Sequence, residues 1–110
     1  MTLHLSFYAT RGGSRPVRKY IDALDEGEAA RLYAALGHLE SAGLKAAGVE
    51  YRAIAGKLWE LKIGRHRVFY VLMTRSELVL LHACKKQGRK ARKEEVALAM
   101  KRMREVWNDS

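Results

Sequence analysis

The stretch LWELKIGRHRVFY, residues 58–70, constrains the fold more than any other part of the sequence. Apolar and polar side chains alternate up to Gly64-Arg65, and an apolar run follows, which is the pattern of two antiparallel strands joined by a tight turn. The same period of two indicates four consecutive strands, over residues 50–54, 58–63, 66–73 and 77–85. Such strands need other elements to cover their apolar faces.

A further strand and two helices are predicted before these four strands. Residues 3–9 alternate as a short strand. Ser14 is expected to cap a first helix that has Pro16 in its first turn, where the missing N–H costs nothing. Asp25 opens a second helix with the pattern of a capping box, and Gly43 is a natural end for that helix.

A third helix is predicted after the basic run of residues 85–93. Its apolar side chains recur at helical spacing, at Val96, Ala99, Met100, Met103 and Trp107. The order β-α-α-β-β-β-β-α predicts an α+β fold in which helices pack on one mostly antiparallel sheet. No repeat or linker interrupts this pattern, so residues 1–110 are expected to form a single domain.

The formal net charge of the 110 residues is +9, and it is concentrated in the second half. Residues 1–55 hold seven Lys and Arg against six Asp and Glu, whereas residues 56–110 hold fourteen against six. This asymmetry predicts a surface for a polyanion, and nucleic acid fits it better than an acidic protein or no charged partner. One cysteine, no signal-peptide pattern and no apolar run of about 18 residues favour a reducing cytoplasm and no membrane.

Metal and cofactor chemistry find no support in the sequence. The four histidines are scattered without an HxxxH or CxxC motif, and the three aspartates lie in caps or at the end of the chain. Phosphate-binding glycine loops and a GxSxG nucleophile are also missing from the sequence. Cys84 follows an apolar strand and is expected to be a buried, unreactive thiol. We therefore predict no metal and no cofactor.

Basic side chains at strand ends remain as the candidates for chemistry. Lys62 is expected on the face opposite Leu61, where it meets Arg67 across the turn if the strand register allows it. RNA carries its own nucleophile, the 2′-hydroxyl, so cations that orient and stabilise the attacked phosphate can promote cleavage without a metal. Proton transfer then requires a conventional base or a lysine of lowered pKa. The candidate catalytic residues are Lys62, Arg67, Lys86 and His82.

Contacts to RNA are expected from further side chains of the basic second half. These are cationic or titratable residues at turns, at strand ends and in the basic run, namely Lys57, Arg65, His66, Lys85 and Arg89. Contacts of this kind bind phosphate without reading sequence, so ribosomal RNA, mRNA, DNA and an acidic peptide all fit them.

Three segments, LWELKIGRHRVFY, LVLLHACKK and KEEVALAMKRM, together resemble the RelE/HigB-type toxins of bacterial type II toxin–antitoxin systems. The resemblance is greatest to their phage-derived HigB-like branch and covers roughly residues 16–107. It implies a RelE-like fold and ribosome-dependent, metal-independent cleavage of mRNA that inhibits translation. It also implies a cognate antitoxin, commonly a helix-turn-helix protein, through which the complex binds operator DNA. The positions implied as catalytic are Lys62, Arg67 and the Lys85-Lys86 pair.

The chain departs from that branch at three points. His66 stands where an aromatic residue is usual, the loop after Lys86 reads QGRKARK, and no tyrosine follows Tyr70. The acid and the base of the reaction therefore stay open. Two alternatives also stay open, a ParE-like toxin that acts on DNA gyrase without cutting RNA, and a basic nucleic-acid-binding module. For the nuclease, alanine at Lys62, Arg67 or Lys86 is expected to abolish toxicity while the fold is kept.

Overall fold

The computed structural model describes residues 3–44 and 49–109 of the chain. Over these residues it contains three helices and five strands, and their order is the predicted one. The elements are β1 His4–Phe7, α1 Pro16–Asp22, α2 Glu26–Ala42, β2 Glu50–Ala55, β3 Leu58–Ile63, β4 His66–Leu72, β5 Glu77–Lys85 and α3 Lys93–Asp109. The predicted α+β class is therefore confirmed. No helix in the described ranges combines the length and the apolar character that crossing a membrane requires.

The strands form one sheet in the order β1-β5-β4-β3-β2. Each neighbouring pair is antiparallel except β1 and β5, which are parallel, so the predicted mostly antiparallel sheet is confirmed. β4 is the central strand, and the six side chains from His66 to Val71 are buried. Because a strand with both faces covered reads as a continuous apolar run, VFYV at residues 68–71 is the expected sequence for this position.

Different helices cover the two faces of the sheet. α1 and α2 pack on the face that carries Leu61 and Val68, and α3 packs on the face that carries Leu58 and Phe69. Side chains of neighbouring residues in a strand point to opposite faces, so Lys62, next to Leu61, belongs to the α3 face. The predicted separation of Leu61 from Lys62 is confirmed.

The ends of the first two helices follow the sequence in part. Asp25 caps α2, accepting a hydrogen bond from the Glu28 backbone N–H at 2.9 Å, and Gly43 ends it with a φ of 84°. The predicted Ser14 cap of α1 is wrong, since Arg15 occupies the N-cap without a side-chain bond. Ser14 is held instead in a loop, where its carbonyl accepts from the Thr10 N–H at 2.8 Å.

The apolar stripe of α3 follows the prediction up to its last turn. Ala99 is fully buried, whereas 39% of Trp107 is exposed. The ammonium of Lys57, in the turn between β2 and β3, lies 4.4 Å from the centroid of the Trp107 ring. Trp107 therefore ends the stripe only partly covered, because its ring lies beside a surface turn at the end of the sheet.

Candidate active site

The register of the central strands brings the two leading candidates together. Lys62 of β3 is paired with Arg67 of β4, and Arg67 is paired in turn with Cys84 of β5. Directly paired residues of neighbouring strands share a face, so all three side chains lie on the α3 face near the Gly64-Arg65 turn. This is the juxtaposition that the sequence left dependent on register.

Arg67 is buried and bound to a buried carboxylate. Only 1% of Arg67 and none of Glu60 is exposed. The Arg67 Nη1 atom lies 2.8 Å from each carboxylate oxygen of Glu60, and the Nε of Arg52 lies 2.9 Å from Oε1. A buried carboxylate is tolerated only when it is paired and hydrogen-bonded, and here two guanidinium groups pair with it. We call Arg52, Glu60 and Arg67 the buried triad after its two buried members, Glu60 and Arg67; the side chain of Arg52 is 42% exposed.

The two arginines of the buried triad also hold the basic loop that follows β5. Arg67 donates from Nη2 to the Gly88 carbonyl at 2.8 Å, and Arg52 donates from Nη2 to the Arg89 carbonyl at 3.4 Å. The loop of residues 86–92 is thereby fastened over the end of the sheet through its backbone, and the side chains of residues 86–90 are exposed. Arg67 therefore supports a basic loop instead of facing solvent.

Lys62, unlike Arg67, reaches the surface at this corner. Its side chain is 21% exposed, and its Nζ lies 4.0 Å from a carboxylate oxygen of Glu50 on the neighbouring strand. These two residues line a small surface hollow of about 30 Å³ together with Tyr51 and Arg52. Lys62 and the half-exposed Arg52 thus place two positive charges beside one carboxylate.

Lys86 belongs to the same end of the sheet. Its backbone N–H donates to the Arg65 carbonyl at 2.6 Å, which joins the basic loop to the turn between β3 and β4. Its side chain and that of Arg89 are exposed. The loop therefore adds cations next to the corner that holds Lys62, as the sequence predicted for this region.

Two of the predicted RNA-binding residues lie on the other face. His66 is only 3% exposed. Its Nδ1 lies 2.6 Å from the Tyr20 hydroxyl and its Nε2 lies 2.5 Å from a carboxylate oxygen of Glu28. Both ring nitrogens are thus bound between α1 and α2, which explains a histidine in a buried strand position. Lys85 is paired with His66, so it lies at the strand end on that side, with its side chain exposed.

Of the other two predicted RNA-binding residues, Arg65 lies in the turn beside the Lys62 corner, and Lys57 lies apart from it. Arg65 is exposed in the turn and lines a cleft of about 380 Å³ with Arg31 of α2 and Ile63 of β3. Lys57 lies in the turn between β2 and β3, which is at the opposite end of β3. Lys57 and Lys62 are five residue steps apart along the strand, a distance of about 16 Å.

His82, the remaining catalytic candidate, lies beneath α3. Its Nε2 lies 2.8 Å from the Glu95 carboxylate, and its Nδ1 lies 3.3 Å from Nη1 of Arg102. Because a guanidinium only donates, Nδ1 is the acceptor and Nε2 carries the hydrogen that Glu95 accepts. Burial opposes ionisation of Glu95, but the bonds from His82 and Cys84 outweigh it and lower the pKa of this carboxyl.

His82, Cys84 and Glu95 form one cluster, which their positions in the sequence do not reveal. Their ligand-type atoms lie within 4.8 Å of one another, although ten residues of chain separate Cys84 from Glu95. These are residue types that bind zinc. The Arg102 guanidinium at Nδ1, however, keeps the hydrogen on Nε2, where a metal would have to bind. The donor set therefore suits a hydrogen-bonded network better than a cation.

Cys84 is expected to be unreactive, as its sequence context predicted. Burial, followed by the charge of Glu95, raises the pKa of its thiol from 9.0 to about 12. Since the thiolate is the reactive form, thiol–disulfide exchange at Cys84 at pH 8 should be about 100-fold or more slower in the folded protein than in urea. Reaction with a chromogenic disulfide measures both rates. Equal rates in the two states would contradict this environment.

The supporting acidic residues were missed for a common reason. Glu60 alternates with the apolar Trp59 and Leu61 in sequence and looks like an ordinary exposed position. Its burial depends on α3 and on the loop that cover this face, both of which come later in the chain. Glu50 contacts Lys62 only because their strands pair, and Glu28 contacts His66 only because α2 packs on the sheet. A sequence signal for such a partner would be a carboxylate at a position known to be buried, because a buried carboxylate must be paired.

Comparison with known families gives one match over most of the chain. The family model described as phage-derived protein Gp49-like (DUF891) matches residues 19–104. None of the curated proteins matches the sequence significantly. The matched range extends from α1 into α3 and includes Lys62, the buried triad and the basic loop.

Proposed function

Because the chain belongs to the Gp49-like family of phage-derived proteins, a toxin-like family in toxin–antitoxin contexts, we propose that it is a ribosome-dependent mRNA endoribonuclease. In this proposal it is the RelE/HigB-type toxin of a type II pair, and it acts in the cytoplasm on translated mRNA. It needs neither metal nor cofactor. The family match supports the toxin role, and the resemblance of the LWELKIGRHRVFY region supports the reaction.

The observation that carries the nuclease proposal is the cationic corner around Lys62. Lys62 and Arg52 lie at the surface beside a loop whose Lys86 and Arg89 are exposed, and Arg67 fastens that loop from below. Preorganised cations of this kind bind phosphate and stabilise charge that develops on it. A purely structural role would not require Lys62 to be directed to the surface beside a second cation.

The proposed reaction uses the 2′-hydroxyl of RNA as the nucleophile. Its oxygen forms a bond to the adjacent phosphorus, the bond from phosphorus to the 5′-oxygen breaks, and the departing 5′-oxygen takes a proton from water, so that a 2′,3′-cyclic phosphate and a 5′-hydroxyl result. Lys62 and Arg52 stabilise the negative charge on the non-bridging oxygens. Glu50, whose carboxylate is 4.0 Å from Lys62, accepts the proton of the 2′-hydroxyl.

Glu50→Gln tests the assignment of the proton acceptor. Glu50 is 81% exposed on its side chain, so the amide should leave folding unchanged while cleavage falls about 100-fold, the effect of losing general base catalysis. Single-turnover cleavage of ribosome-bound mRNA measures the rate, with Glu77→Gln as the exposed control. A Glu50→Gln rate equal to that of the control would remove Glu50 from the mechanism.

The proposed partners follow from the same charges. The cognate antitoxin, a helix-turn-helix protein in this proposal, covers the basic corner with an acidic or amphipathic segment and blocks RNA. Operator DNA is then bound only through the complex. The ribosome supplies the mRNA in an extended, accessible form.

A reconstituted translation system tests the function as a whole. Purified protein should cut a defined mRNA when ribosomes translate it and leave the same free mRNA intact. A DNA gyrase supercoiling assay with the same preparation should show no inhibition. Intact mRNA together with blocked supercoiling would replace the nuclease by a gyrase toxin. If mRNA stays intact, gyrase is not inhibited and RNA binding depends on salt, the remaining function is that of a nucleic-acid-binding module.

A further inference from the structure

A second cationic surface lies at the other end of the α3 face. It is a cleft of about 270 Å³ lined by Lys57, Met103, Arg104, Trp107 and Asn108. Trp107 is 39% exposed, and the Lys57 ammonium lies 4.4 Å from its ring centroid. The cleft is therefore built from one exposed indole, two cations, one amide and one thioether. We call it the Trp107 cleft.

The charged residues that line the Trp107 cleft are all positive. Lys57 and Arg104 are both exposed, and none of the residues that line the cleft is acidic. Lys101, one turn before Arg104 in α3, is also exposed. Residues three apart on a helix are neighbours, so a third cation lies close to the cleft. An anionic ligand is favoured at this place.

The indole narrows the chemistry of that ligand. Carboxylates of an acidic peptide would engage the two cations but have no use for an exposed aromatic face. A nucleotide carries both parts, a phosphate for Lys57 or Arg104 and a flat base for the face of Trp107. The Asn108 amide supplies a donor and an acceptor of the kind that bind base edges.

We propose that the Trp107 cleft binds single-stranded RNA, with one unpaired base taking the place of the Lys57 ammonium on the Trp107 ring and the flanking phosphates bound by Lys57 and Arg104. The choice of RNA as ligand rests on the proposed function. The cleft lies about 16 Å from Lys62 along β3, so an RNA strand of a few nucleotides reaches both places. The cleft then holds RNA while the Lys62 corner acts on it.

Tryptophan fluorescence tests the stacking directly. The chain has two tryptophans, and Trp59 is half-buried against the opposite face. A short oligoadenylate should quench the emission of the wild type saturably, and Trp107→Phe should lose this quenching although its ring still binds RNA. Anisotropy of a labelled oligoadenylate should show about tenfold weaker binding for Trp107→Ala, the loss expected for one stacked base. Circular dichroism checks that Trp107→Ala is folded.

Matched probes separate a base from a bare charge. An abasic oligomer of the same length and a polyglutamate peptide should quench Trp107 little, because neither offers a base. Equal quenching by the abasic oligomer would reduce the site to an electrostatic contact and overturn the proposal. Equal quenching by polyglutamate would assign the cleft to an acidic protein. Quenching that persists in Trp107→Phe would place the signal at Trp59 and would also overturn the proposal.

Charge-matched variants test the cations. Lys57→Gln should weaken oligoadenylate binding more than Arg75→Gln, which removes one exposed positive charge from the turn between β4 and β5. Equal losses would mean that only net charge matters. Lys62→Ala should keep the quenching and lose cleavage. Quenching without any cleavage by the wild type would leave the cleft standing and refute the nuclease, whereas cleavage without quenching would refute the cleft alone.

Discussion

Glu60→Ala is expected to lower the free energy of unfolding by about 3–5 kcal/mol, the largest stability effect that we predict for one side chain. The substitution leaves the Arg67 guanidinium 1% exposed and without the carboxylate that lies 2.8 Å from its Nη1. A buried charge without its partner is far more costly than the pair is favourable. Urea unfolding followed by circular dichroism measures the change.

A double replacement gives the control for this result. Glu60→Leu combined with Arg67→Met removes both buried charges and keeps apolar volume, so its stability should lie much closer to the wild type than that of Glu60→Ala. Arg52 is 42% exposed on its side chain and can turn to solvent in that variant. Glu60→Ala as stable as the double variant would mean that the pair is not buried as described.

The same burial changes how Arg67→Ala should be read. From the sequence, Arg67→Ala was expected, like Lys62→Ala, to remove activity and keep the fold. With Arg67 beneath the loop at Gly88, its loss removes a support of the loop and leaves Glu60 with Arg52 as its remaining arginine partner. Loss of activity in Arg67→Ala therefore mixes stability, loop position and chemistry. Lys62 offers the cleaner test.

Lys62→Ala is expected to reduce mRNA cleavage about 100- to 1,000-fold, the effect of removing one preorganised donor from a developing oxyanion. Its side chain reaches the surface and contacts Glu50 at 4.0 Å, the limit of an ion pair, so the free energy of unfolding should change by less than about 1 kcal/mol. Cleavage of ribosome-bound mRNA and urea unfolding are measured on the same preparation.

Two control variants define this effect. Lys62→Arg keeps the positive charge and should retain part of the rate, whereas Arg75→Ala removes an exposed charge elsewhere and should retain nearly all of it. A Lys62→Ala protein that cleaves like Arg75→Ala would show that the Lys62 corner is a binding surface at most. A Lys62→Ala protein that unfolds would instead assign Lys62 a structural role.

The elements of the fold were readable because each has a local cause. Pro16, Asp25 and Gly43 mark helix ends through their own backbone and side-chain chemistry, and the period of two marks each strand. The predicted Ser14 cap was wrong because Ser14 bonds instead to Thr10, four residues earlier, in a loop: its backbone N–H donates to the Thr10 hydroxyl at 3.2 Å. The partial exposure of Trp107 was not readable, because helical spacing does not show where the covered part of the sheet ends.

The candidate site was readable only in part because its geometry is set across strands. Lys62 and Arg67 were expected at one corner, and strand register, which a single sequence does not fix, makes them direct partners. The positions of Glu60 beneath a later loop and of His66 between two helices depend on packing. Packing explains why a predicted RNA contact at His66 has both ring nitrogens bound inside the protein.

Mapping of new mRNA 5′ ends in cells tests the central claim most directly. The protein is expressed from a tight promoter beside Lys62→Ala and Arg75→Ala, and ends are sequenced soon after induction. We expect new 5′-hydroxyl ends within translated codons for the wild type and Arg75→Ala, and none for Lys62→Ala. Growth arrest with intact mRNA, or equal cutting by Lys62→Ala, would contradict the assignment of the Lys62 corner as a nuclease site.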